Sequence, residues 1–335
     1  MTSLPLRRLG TTDLEITPVG FGSWAAGGPG WAAGWGAQDD EDSLAAMRHA
    51  LALGINWIDT AAVYGLGHAE EVVGRLLREL AASERPLVFT KCGLVWNPQD
   101  RKEPARRIAR PETIRRECED SLRRLGVDVI DLYQIHWPDA SGTPVEEGWG
   151  AMLRLAEEGK IRHAAVSNFD VAALERCERL GHVASLQPPF SMIRRSVAAA
   201  EIPWCEANGT GVIVYSPMQS GLLTGRFSAD RLTTMDAEDW RRGSAHFQSP
   251  KLEQNLALGA ALEPIAARHD VTVGAVAVAW TLAWRGVTGA IVGARTPAQV
   301  DGWIAGATLK LDPSDLDAIA AAIERTGAGE GPARP

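Results

Sequence analysis

Four side chains that can hold or exchange a proton stand where predicted strands end. Asp59, Lys91 and His136 each close a short, mainly apolar run, and Tyr64 follows Asp59 in the next loop. The carboxyl ends of the strands of a parallel barrel lie on one face, so these loops can bring the four groups together. A carboxylate, an ammonium, a phenol and an imidazole at one mouth are typical of a site that protonates an oxygen atom during hydride transfer.

Each of these groups has a distinct expected role. A phenol with a pKa near 10 is a poor proton donor at neutral pH, and a nearby lysine cation stabilises the phenolate and lowers that pKa. We therefore expect Lys91 to lower the pKa of Tyr64, which becomes the proton donor. Asp59 is expected to hold Lys91 charged and in place, and His136 to hydrogen-bond the substrate oxygen.

Each residue taken alone also has a purely structural interpretation. Asp59 could cap the next helix, Lys91 could be a solvated surface residue, Tyr64 could pack in the core, and His136 before Trp-Pro could be structural. The coincidence of all four at successive strand ends favours the chemical interpretation.

The elements that must position these groups follow an alternating pattern. Short apolar runs alternate with longer amphipathic segments, which indicates βα units around a parallel sheet. We predict eight strands, over Val19–Gly22, Asn56–Asp59, Leu87–Lys91, Ile130–His136, His163–Ser167, Ala184–Gln187, Gly211–Ser216 and Gly289–Val292. We predict helices over Glu41–Leu53, Ala69–Leu80, Pro111–Leu125, Val145–Glu158, Val171–Leu180, Glu253–His269 and Pro297–Ala305.

Eight units in about the length of one barrel predict the α/β class and a closed (β/α)8 TIM barrel. We expect residues 1–326 to form this single domain, with an N-terminal β-hairpin over Leu6–Thr17 and extra C-terminal helices over Val273–Arg285 and Ser314–Arg325. The Gly- and Pro-rich residues 327–335 are expected to be a disordered tail. The long connection Pro217–Leu252 is expected to be a functional loop.

Neutral polar residues follow the later strands and favour a nicotinamide cofactor. Ser167 and Asn168 follow the fifth strand, Gln187 ends the sixth, and Tyr215 lies at the end of the seventh. Amide side chains can pair with a carboxamide, and a phenol ring can stack on a flat heteroaromatic ring. Ser167 and Asn168 could instead form an Asx turn or a helix cap.

The segment after the eighth strand could bind phosphate. It reads I-V-G-A-R-T-P-A-Q, with Arg295 beside the start of a predicted helix. Backbone amides at a helix start bind anions, and barrels often place a phosphate site after strands seven and eight. The loop that begins Gln219-Ser220-Gly221-Leu222 could then fold over a pyrophosphate.

Composition and charge narrow the class of partner. The net charge of −8 argues against nucleic acid and anionic membranes, since both select basic surfaces. No apolar run reaches membrane-spanning length, and we expect a cytoplasmic location. The four cysteines lie far apart without a C-x-x-C pair, so we expect reduced, mostly buried thiols and no metal site. A small carbonyl or alcohol substrate is the expected partner.

Together these segments resemble the aldo-keto reductase family, from Leu6 to about Arg325. The matching pieces are G-I-N-W-I-D-T-A-A-V-Y-G, T-K after the third strand, Q-I-H-W-P, A-V-S-N-F, Y-S-P-M-Q-S-G-L-L-T-G and I-V-G-A-R. The resemblance implies NAD(P)H-dependent, reversible reduction of aldehydes and ketones, with Asp59, Tyr64, Lys91 and His136 as the catalytic tetrad and Tyr64 as the acid.

The resemblance also implies which residues bind the ligands. The expected cofactor-binding residues are Gly22, Ser23, Trp24, Asp59, Ser167, Asn168, Gln187, Tyr215, Ser216, Pro217, Met218, Ser220, Gly221, Leu222, Gly293, Ala294, Arg295 and Gln299. The expected walls of the substrate pocket are Trp24, Tyr64, Trp96, His136 and Trp137; ordinary loop packing is the alternative for the tryptophans.

The resemblance favours NADPH, with NADH possible. Many members of the family recognise the adenosine 2′-phosphate of NADPH with Lys-Ser after the eighth strand, a later Arg, and Glu-Asn near the adenine. Here the corresponding positions are Gly293-Ala294-Arg295, then Gln299, then Gly302-Trp303. This resembles a bacterial branch with a Gly-Ala-Arg loop, in which the arginine can read the phosphate.

Two other functions remain as alternatives. A metal-dependent barrel hydrolase or isomerase needs clustered His and carboxylate ligands, and only Asp59 and His136 qualify. A redox-sensing regulatory subunit on the same fold, like the potassium-channel β subunits, would bind the cofactor but release it slowly. Sustained turnover of a generic aldehyde separates an enzyme from such a sensor.

Overall fold

Eight short parallel strands pair side by side and close into a barrel in this computed structural model, which describes residues 4–335. Their order around the barrel is β3-β4-β5-β8-β9-β10-β11-β12, and β12 pairs with β3 to close the ring. The strands found within residues 4–335 are β1 Arg7–Arg8, β2 Glu15–Ile16, β3 Val19–Gly22, β4 Trp57–Asp59, β5 Leu87–Cys92, β6 Leu94–Val95, β7 Arg106–Arg107, β8 Ile130–Ile135, β9 Ile161–Ser167, β10 Ser185–Gln187, β11 Gly211–Tyr215 and β12 Gly289–Gly293. The predicted (β/α)8 TIM barrel is confirmed.

Helices fill the connections on the outside of the barrel. They are α1 Asp40–Ala52, α2 His68–Glu79, α3 Pro111–Leu125, α4 Val145–Glu157, α5 Val171–Glu178, α6 Glu201–Asn208, α7 Ala229–Thr234, α8 Lys251–Ala261, α9 Glu263–Arg268, α10 Val273–Leu282, α11 Pro297–Asp301 and α12 Pro313–Thr326. The predicted strands and most predicted helices match these elements within two or three residues. The helix predicted over Glu253–His269 is instead two helices, with the break at Leu262.

Sequence reasoning missed α6, which contains Pro203. The proline occupies the third position of the helix, where its missing N–H has no intrahelical partner to lose. A proline so close to a helix start therefore does not exclude the helix.

Side-chain alternation along the strands divides the barrel interior into an apolar layer and a polar layer. Trp57, Phe89 and Leu132 belong to the fully buried apolar cluster inside the barrel. Residues two positions further along a strand face the same side, so Asp59 and Lys91 lie above Trp57 and Phe89. Polar groups therefore lie at the carboxyl end of the barrel, with apolar side chains beneath them.

The large indole of Trp57 needs a glycine opposite it. A Cβ at Gly20 would lie 2.2 Å from the Trp57 ring, so the absence of a side chain there makes room for the indole. The indole nitrogen donates to the Thr17 carbonyl at 2.9 Å. This packing fixes β3 against β4 directly below the polar layer.

The predicted N-terminal hairpin is present and closes the amino end of the barrel. Strands β1 and β2 pair antiparallel, with Arg7 opposite Ile16. Leu9, Leu14 and Ile16 are almost fully buried and join the apolar cluster inside the barrel. Access to the interior is therefore left to the opposite, polar end.

The expected disorder of residues 327–335 does not agree with the structure. Ala328 is 1% exposed, and Glu330 forms a β-bridge with Arg194. The buried guanidinium of Arg195 donates to the carbonyl oxygens of Ala328 at 3.0 Å and Gly331 at 3.2 Å. Composition suggested a free tail, but the buried arginine needs these carbonyl acceptors because no carboxylate forms an ion pair with it within residues 4–335.

Other features bear on the class of protein. All four cysteines are free and buried, as expected, and burial raises the pKa of Cys118, Cys177 and Cys205 to about 12. Within residues 4–335, no helix combines the length and apolar content needed to cross a membrane. In the same part of the chain, no three His, Cys, Asp or Glu side chains are grouped so as to hold a metal ion.

Candidate active site

A cavity of about 730 Å³ opens at the carboxyl end of the barrel strands. Its size suits an extended organic ligand. Most of the residues expected at a cofactor or substrate site line it: Gly22, Ser23, Trp24, Asp59, Tyr64, His136, Trp137, Asn168, Gln187, Tyr215, Ser216, Pro217, Met218, Ser220, Gly221, Gly293, Ala294, Arg295 and Gln299.

A buried ion pair lies at the floor of the cavity. The Lys91 ammonium donates to Asp59 Oδ1 at 2.5 Å and to the Thr60 carbonyl at 2.7 Å. Its third neighbour is the Tyr64 hydroxyl, with 3.5 Å between Nζ and the phenol oxygen. Both charged side chains are at most 2% exposed, so the pair holds each charge in a place where neither would be stable alone.

The second oxygen of Asp59 is held by two amides. Oδ2 accepts from Gln187 Nε2 at 2.8 Å and from Gln134 Nε2 at 3.3 Å, and Gln187 also donates to Gln134 Oε1 at 3.0 Å. The carboxylate therefore cannot rotate away from Lys91. Sequence reasoning missed Gln134; its signal was a polar residue two positions before His136 on a strand with an otherwise apolar inner face.

The phenol of Tyr64 is a more reluctant acid than the sequence suggested. We expected Lys91 to lower its pKa, but burial, followed by the negative charge of Asp59, raises the pKa of Tyr64 well above its usual value. The Lys91 charge is largely compensated by the closer Asp59. Tyr64 thus stays protonated at neutral pH.

The imidazole of His136 faces the same part of the cavity. Its ring lies 5.8 Å from the Tyr64 ring, measured between centroids, in an edge-to-face arrangement. Burial, followed by the positive charge of Lys91, lowers the pKa of His136 well below its usual value. His136 is therefore neutral and can donate one N–H to an acceptor placed between the two rings.

Two glycines fix the backbone that carries Tyr64. Gly65 has a φ of +64°, and a Cβ on it would lie 2.2 Å from the Gly27 carbonyl oxygen. The contact brings the loop after β3 against the loop after β4, and the Trp24 ring stacks on the Tyr64 ring at 5.9 Å between centroids. The position of Tyr64 is thus set by backbone contact as well as by Lys91.

An amide network spans the far wall. The Tyr215 hydroxyl donates to Asn168 Oδ1 at 2.8 Å, and Asn168 Nδ2 donates to the His136 carbonyl and to Ser167 Oγ, both at 2.9 Å. Asn168 adopts a φ of +61°, which asparagine tolerates better than most residues. The network ties the ends of three strands, β8, β9 and β11, into one wall.

Comparison with known proteins assigns this arrangement to a family. A profile of the Aldo/keto reductase family matches residues 18–324. The chain belongs to this family. It is 34% identical to Aldo-keto reductase YhdN of Bacillus subtilis (strain 168) over 312 residues, which cover 92% of this chain and 91% of that protein.

Two further relatives extend this similarity. The chain is 34% identical over 331 residues to the NADH-specific methylglyoxal reductase of Escherichia coli (strain K12), covering 95% of this chain and 98% of that protein. It is similar to the solved glycerol dehydrogenase AKR11B4 of Gluconobacter oxydans, with a TM-score of 0.87 and 37% identity over 98% of this chain and 97% of that one. As an aldo-keto reductase the chain is an oxidoreductase, and this family uses nicotinamide cofactors.

Three of the expected ligand-binding residues do not line the cavity of this aldo-keto reductase. The Ser167 hydroxyl lies beneath it and donates to the Gln187 carbonyl at 2.8 Å. Leu222 is buried in the hydrophobic core. Trp96 packs beside the cluster of Trp31, Ala61 and Val63 instead of the cavity. These side chains are already occupied by internal contacts.

Two tryptophans that sequence reasoning did not select pack against Trp24: Trp35 lines the cavity, whereas Trp240 supports Trp24 from outside the lining. Trp24 lies between Tyr64 and Trp240, with a stacked arrangement and 5.4 Å between the Trp24 and Trp240 centroids. Trp35 meets Trp24 edge to face at 5.2 Å. The only available signal was the abundance of tryptophan in loop segments. The Pro217–Leu252 connection reaches the cavity through residues such as Ser220, Gly221 and Arg241, and its functional role stays a prediction.

One end of the cavity is cationic, and it adjoins the tryptophans, since Arg241 Cζ lies 4.6 Å from the Trp35 ring centroid. The Arg295 guanidinium donates to Gln38 Oε1 at 2.6 Å and to the Ala37 carbonyl. Burial, followed by the positive charge of Arg241, lowers the pKa of Arg295. Arg241 forms an ion pair with Asp239 and donates to the Ser220 carbonyl at 3.2 Å. This end can therefore receive an anion.

Proposed function

We propose that this protein reduces aldehydes or ketones reversibly with NAD(P)H, with Tyr64 donating the proton to the carbonyl oxygen. The observation that carries the proposal is the placement of Lys91 between Asp59 and Tyr64 beside His136, at the floor of one cavity. Bound NAD(P)H supplies the hydride.

The protonation states support an acid role for Tyr64. The raised pKa of Tyr64 keeps the proton on the phenol until the carbonyl oxygen gains negative charge. The Lys91 ammonium at 3.5 Å then stabilises the phenolate that remains. In alcohol oxidation the same phenolate accepts the proton back.

His136 orients the substrate, and Asp59 keeps the Lys91 ammonium in place. Neutral His136 can donate a hydrogen bond to the carbonyl oxygen and orient it toward Tyr64. Asp59, held by Gln134 and Gln187, keeps the ammonium of Lys91 beside the phenol. Because this carboxylate is fixed, the groups around Tyr64 need to move little during proton transfer.

Polar atoms in the cavity fit a nicotinamide cofactor. The Ser23 hydroxyl lines the cavity, is buried and has no hydrogen-bond partner within residues 4–335. Such a group requires a partner, and a ligand in the cavity can supply it. Gln187 and Tyr215 both line the cavity, which offers an amide side chain to a carboxamide and an aromatic ring as a stacking surface.

We propose NADPH as the preferred cofactor, with NADH also accepted. Arg231, Arg241 and Arg295 line one end of the cavity; Arg241 is paired with Asp239, and the other two guanidinium groups, which form no ion pair within residues 4–335, favour a ligand with additional phosphate charge. Gln299 accepts from the Arg295 backbone N–H at 2.8 Å and shapes the same end. One relative, from Escherichia coli, is named as NADH-specific, which supports acceptance of NADH as well.

Steady-state assays with NADPH and NADH side by side, on a panel of aldehydes, ketones and sugars, test this function. We expect many turnovers per active site with at least one aldehyde and no loss of activity on treatment with a chelator. A single turnover followed by slow release of oxidised cofactor would contradict an enzymatic role and favour a redox sensor.

A further inference from the structure

The cavity carries a surplus of positive charge. Six arginines line it, against the two carboxylates of Asp59 and Glu103, in a chain whose net charge is −8. Three of these arginines lie at the end proposed for cofactor phosphates. Arg107 does not: it belongs to the short strand β7, where it pairs with Leu94 of β6. It lines the part of the cavity near His136.

The Arg107 guanidinium is held flat over an aromatic ring. Its central carbon lies 4.2 Å from the centroid of Trp137, the residue that follows His136. The Arg107 carbonyl accepts from the Ala140 N–H at 3.0 Å, which fixes the strand beneath the side chain. Stacking uses the face of the guanidinium and leaves the N–H groups along its edge free to donate.

No carboxylate neutralises this guanidinium. Within residues 4–335, Arg107 forms no ion pair and donates no side-chain hydrogen bond. Its charge still acts on the site: burial raises the pKa of Tyr215, and the positive charges of Arg194 and Arg107 oppose that rise. Arg107 is solvent-exposed and lines the same cavity as Tyr64 and His136, so its unpaired N–H groups are accessible to an anionic group of a substrate bound there.

We propose that Arg107 determines substrate specificity, by binding a carboxylate carried by the carbonyl substrate. The proposal rests on the proposed function and adds a substrate class: aldehydes or ketones with a carboxylate at the end away from the carbonyl. A stacked guanidinium matches the two oxygens of a carboxylate in a bidentate geometry. The interaction exists before and during the reaction, so its loss should raise KM more than it lowers kcat.

Two aldehydes that differ in one charge test the proposal. We would measure kcat/KM for 4-carboxybenzaldehyde and methyl 4-formylbenzoate with the wild-type protein, Arg107→Gln and Arg106→Gln. Arg106 is the matched control because both residues of β7 are exposed arginines and only Arg107 lines the cavity. Both substitutions remove one positive charge from the same strand.

We expect the wild type to prefer the acid over the ester by about 10- to 100-fold, the range of a charge-assisted hydrogen bond. Arg107→Gln should bring this ratio close to one, mainly through KM, and Arg106→Gln should retain it. The preference should also weaken at high salt. Equal loss of acid and ester turnover in Arg107→Gln, or the same ratio in both variants, contradicts the proposal.

The remaining outcomes separate this inference from the proposed function. If the wild type reduces both aldehydes equally well, the inference fails and the proposed function stands. If it reduces neither aldehyde nor any other carbonyl compound, the proposed function fails and the inference with it. A second pair of substrates, glyceraldehyde 3-phosphate and glyceraldehyde, tests whether the bound anion is a phosphate. If Arg107→Gln removes the preference for the charged substrate only in this pair, Arg107 binds a phosphate, and the proposal of a carboxylate is overturned.

Discussion

The ammonium nitrogen of Lys91 lies 3.5 Å from the phenol oxygen of Tyr64 and only 2.5 Å from Asp59 Oδ1. The lysine charge is therefore shared with a nearer carboxylate, and burial dominates the titration of the phenol. This geometry favours a tyrosine that holds its proton in the resting protein and a lysine that acts once the proton has left.

Removal of the phenol hydroxyl should remove the proton donor. We expect Tyr64→Phe to lower kcat for carbonyl reduction by about 100- to 10,000-fold, the range for loss of a general acid. The variant should still bind the cofactor, and quenching of tryptophan fluorescence can monitor this binding. Tyr133→Phe is the control, because Tyr133 is a fully buried barrel residue that does not line the cavity. Wild-type turnover in Tyr64→Phe would refute the assigned role.

A methyl group at Gly65 should displace the backbone beside Tyr64. We expect Gly65→Ala to lower both the midpoint of thermal unfolding and kcat, since the new Cβ would lie 2.2 Å from the Gly27 carbonyl oxygen. Gly30→Ala separates this clash from backbone strain: Gly30 has a φ of +79° but no atom within 4 Å of the added Cβ. The control should cost about 1 kcal/mol from strain alone and leave kcat unchanged.

If Arg295 contributes to recognition of the 2′-phosphate, its removal should affect the two cofactors differently. We expect Arg295→Gln to raise KM for NADPH by about 10-fold or more and to change KM for NADH less, because a charged hydrogen bond to the extra phosphate is lost. Arg285→Gln serves as the control, as the Arg285 side chain is 88% exposed and pairs with Glu206. An equal change for both cofactors would argue against this role.

Stability should fall as pH rises through the titration of Glu117. Burial raises the pKa of this carboxyl to about 7, although it accepts a hydrogen bond from the Gly93 N–H at 2.6 Å. Because the pKa of Glu117 is higher in the folded than in the unfolded protein, protonated Glu117 contributes fully to stability below about pH 4.3, the pKa of an unfolded glutamate. This contribution is lost as the pH rises toward 7.

The corresponding variant is Glu117→Gln, which keeps an acceptor for Gly93 and cannot ionise. Its free energy of unfolding should exceed that of the wild type by an amount that grows between pH 5 and 7, reaching on the order of 3 kcal/mol. Reversible chemical denaturation at several pH values measures this difference. A constant difference across the range would show that Glu117 does not titrate there.

Removal of the C-terminal segment should destabilise the protein. Deletion of residues 328–335 removes two carbonyl acceptors of buried Arg195, and we expect a loss of about 1 to 3 kcal/mol in the free energy of unfolding. Deletion of residues 333–335 alone leaves these acceptors in place and is the control. Equal stability of the two truncated proteins would contradict a structural role for the segment.

The sequence by itself determined the barrel and the identity of its reactive residues. The alternation of short apolar runs with amphipathic segments reports burial directly, so eight strands and most helices were predictable within a few residues. Asp59, Lys91 and His136 were identifiable because a strand end in a parallel barrel points to one face, whatever the detailed packing.

Only the tertiary structure decided the electrostatics and the walls of the site. Whether Lys91 lowers the pKa of Tyr64 depends on burial and on the nearer Asp59, which no spacing in the chain specifies. Gln134 acts through a hydrogen bond from one barrel strand to Asp59 on another, and the positions of Arg107 and of Trp240 against Trp24 depend on long-range packing of loops. The order of the C-terminal segment likewise follows from a buried guanidinium that needs acceptors, a demand that local composition does not reveal.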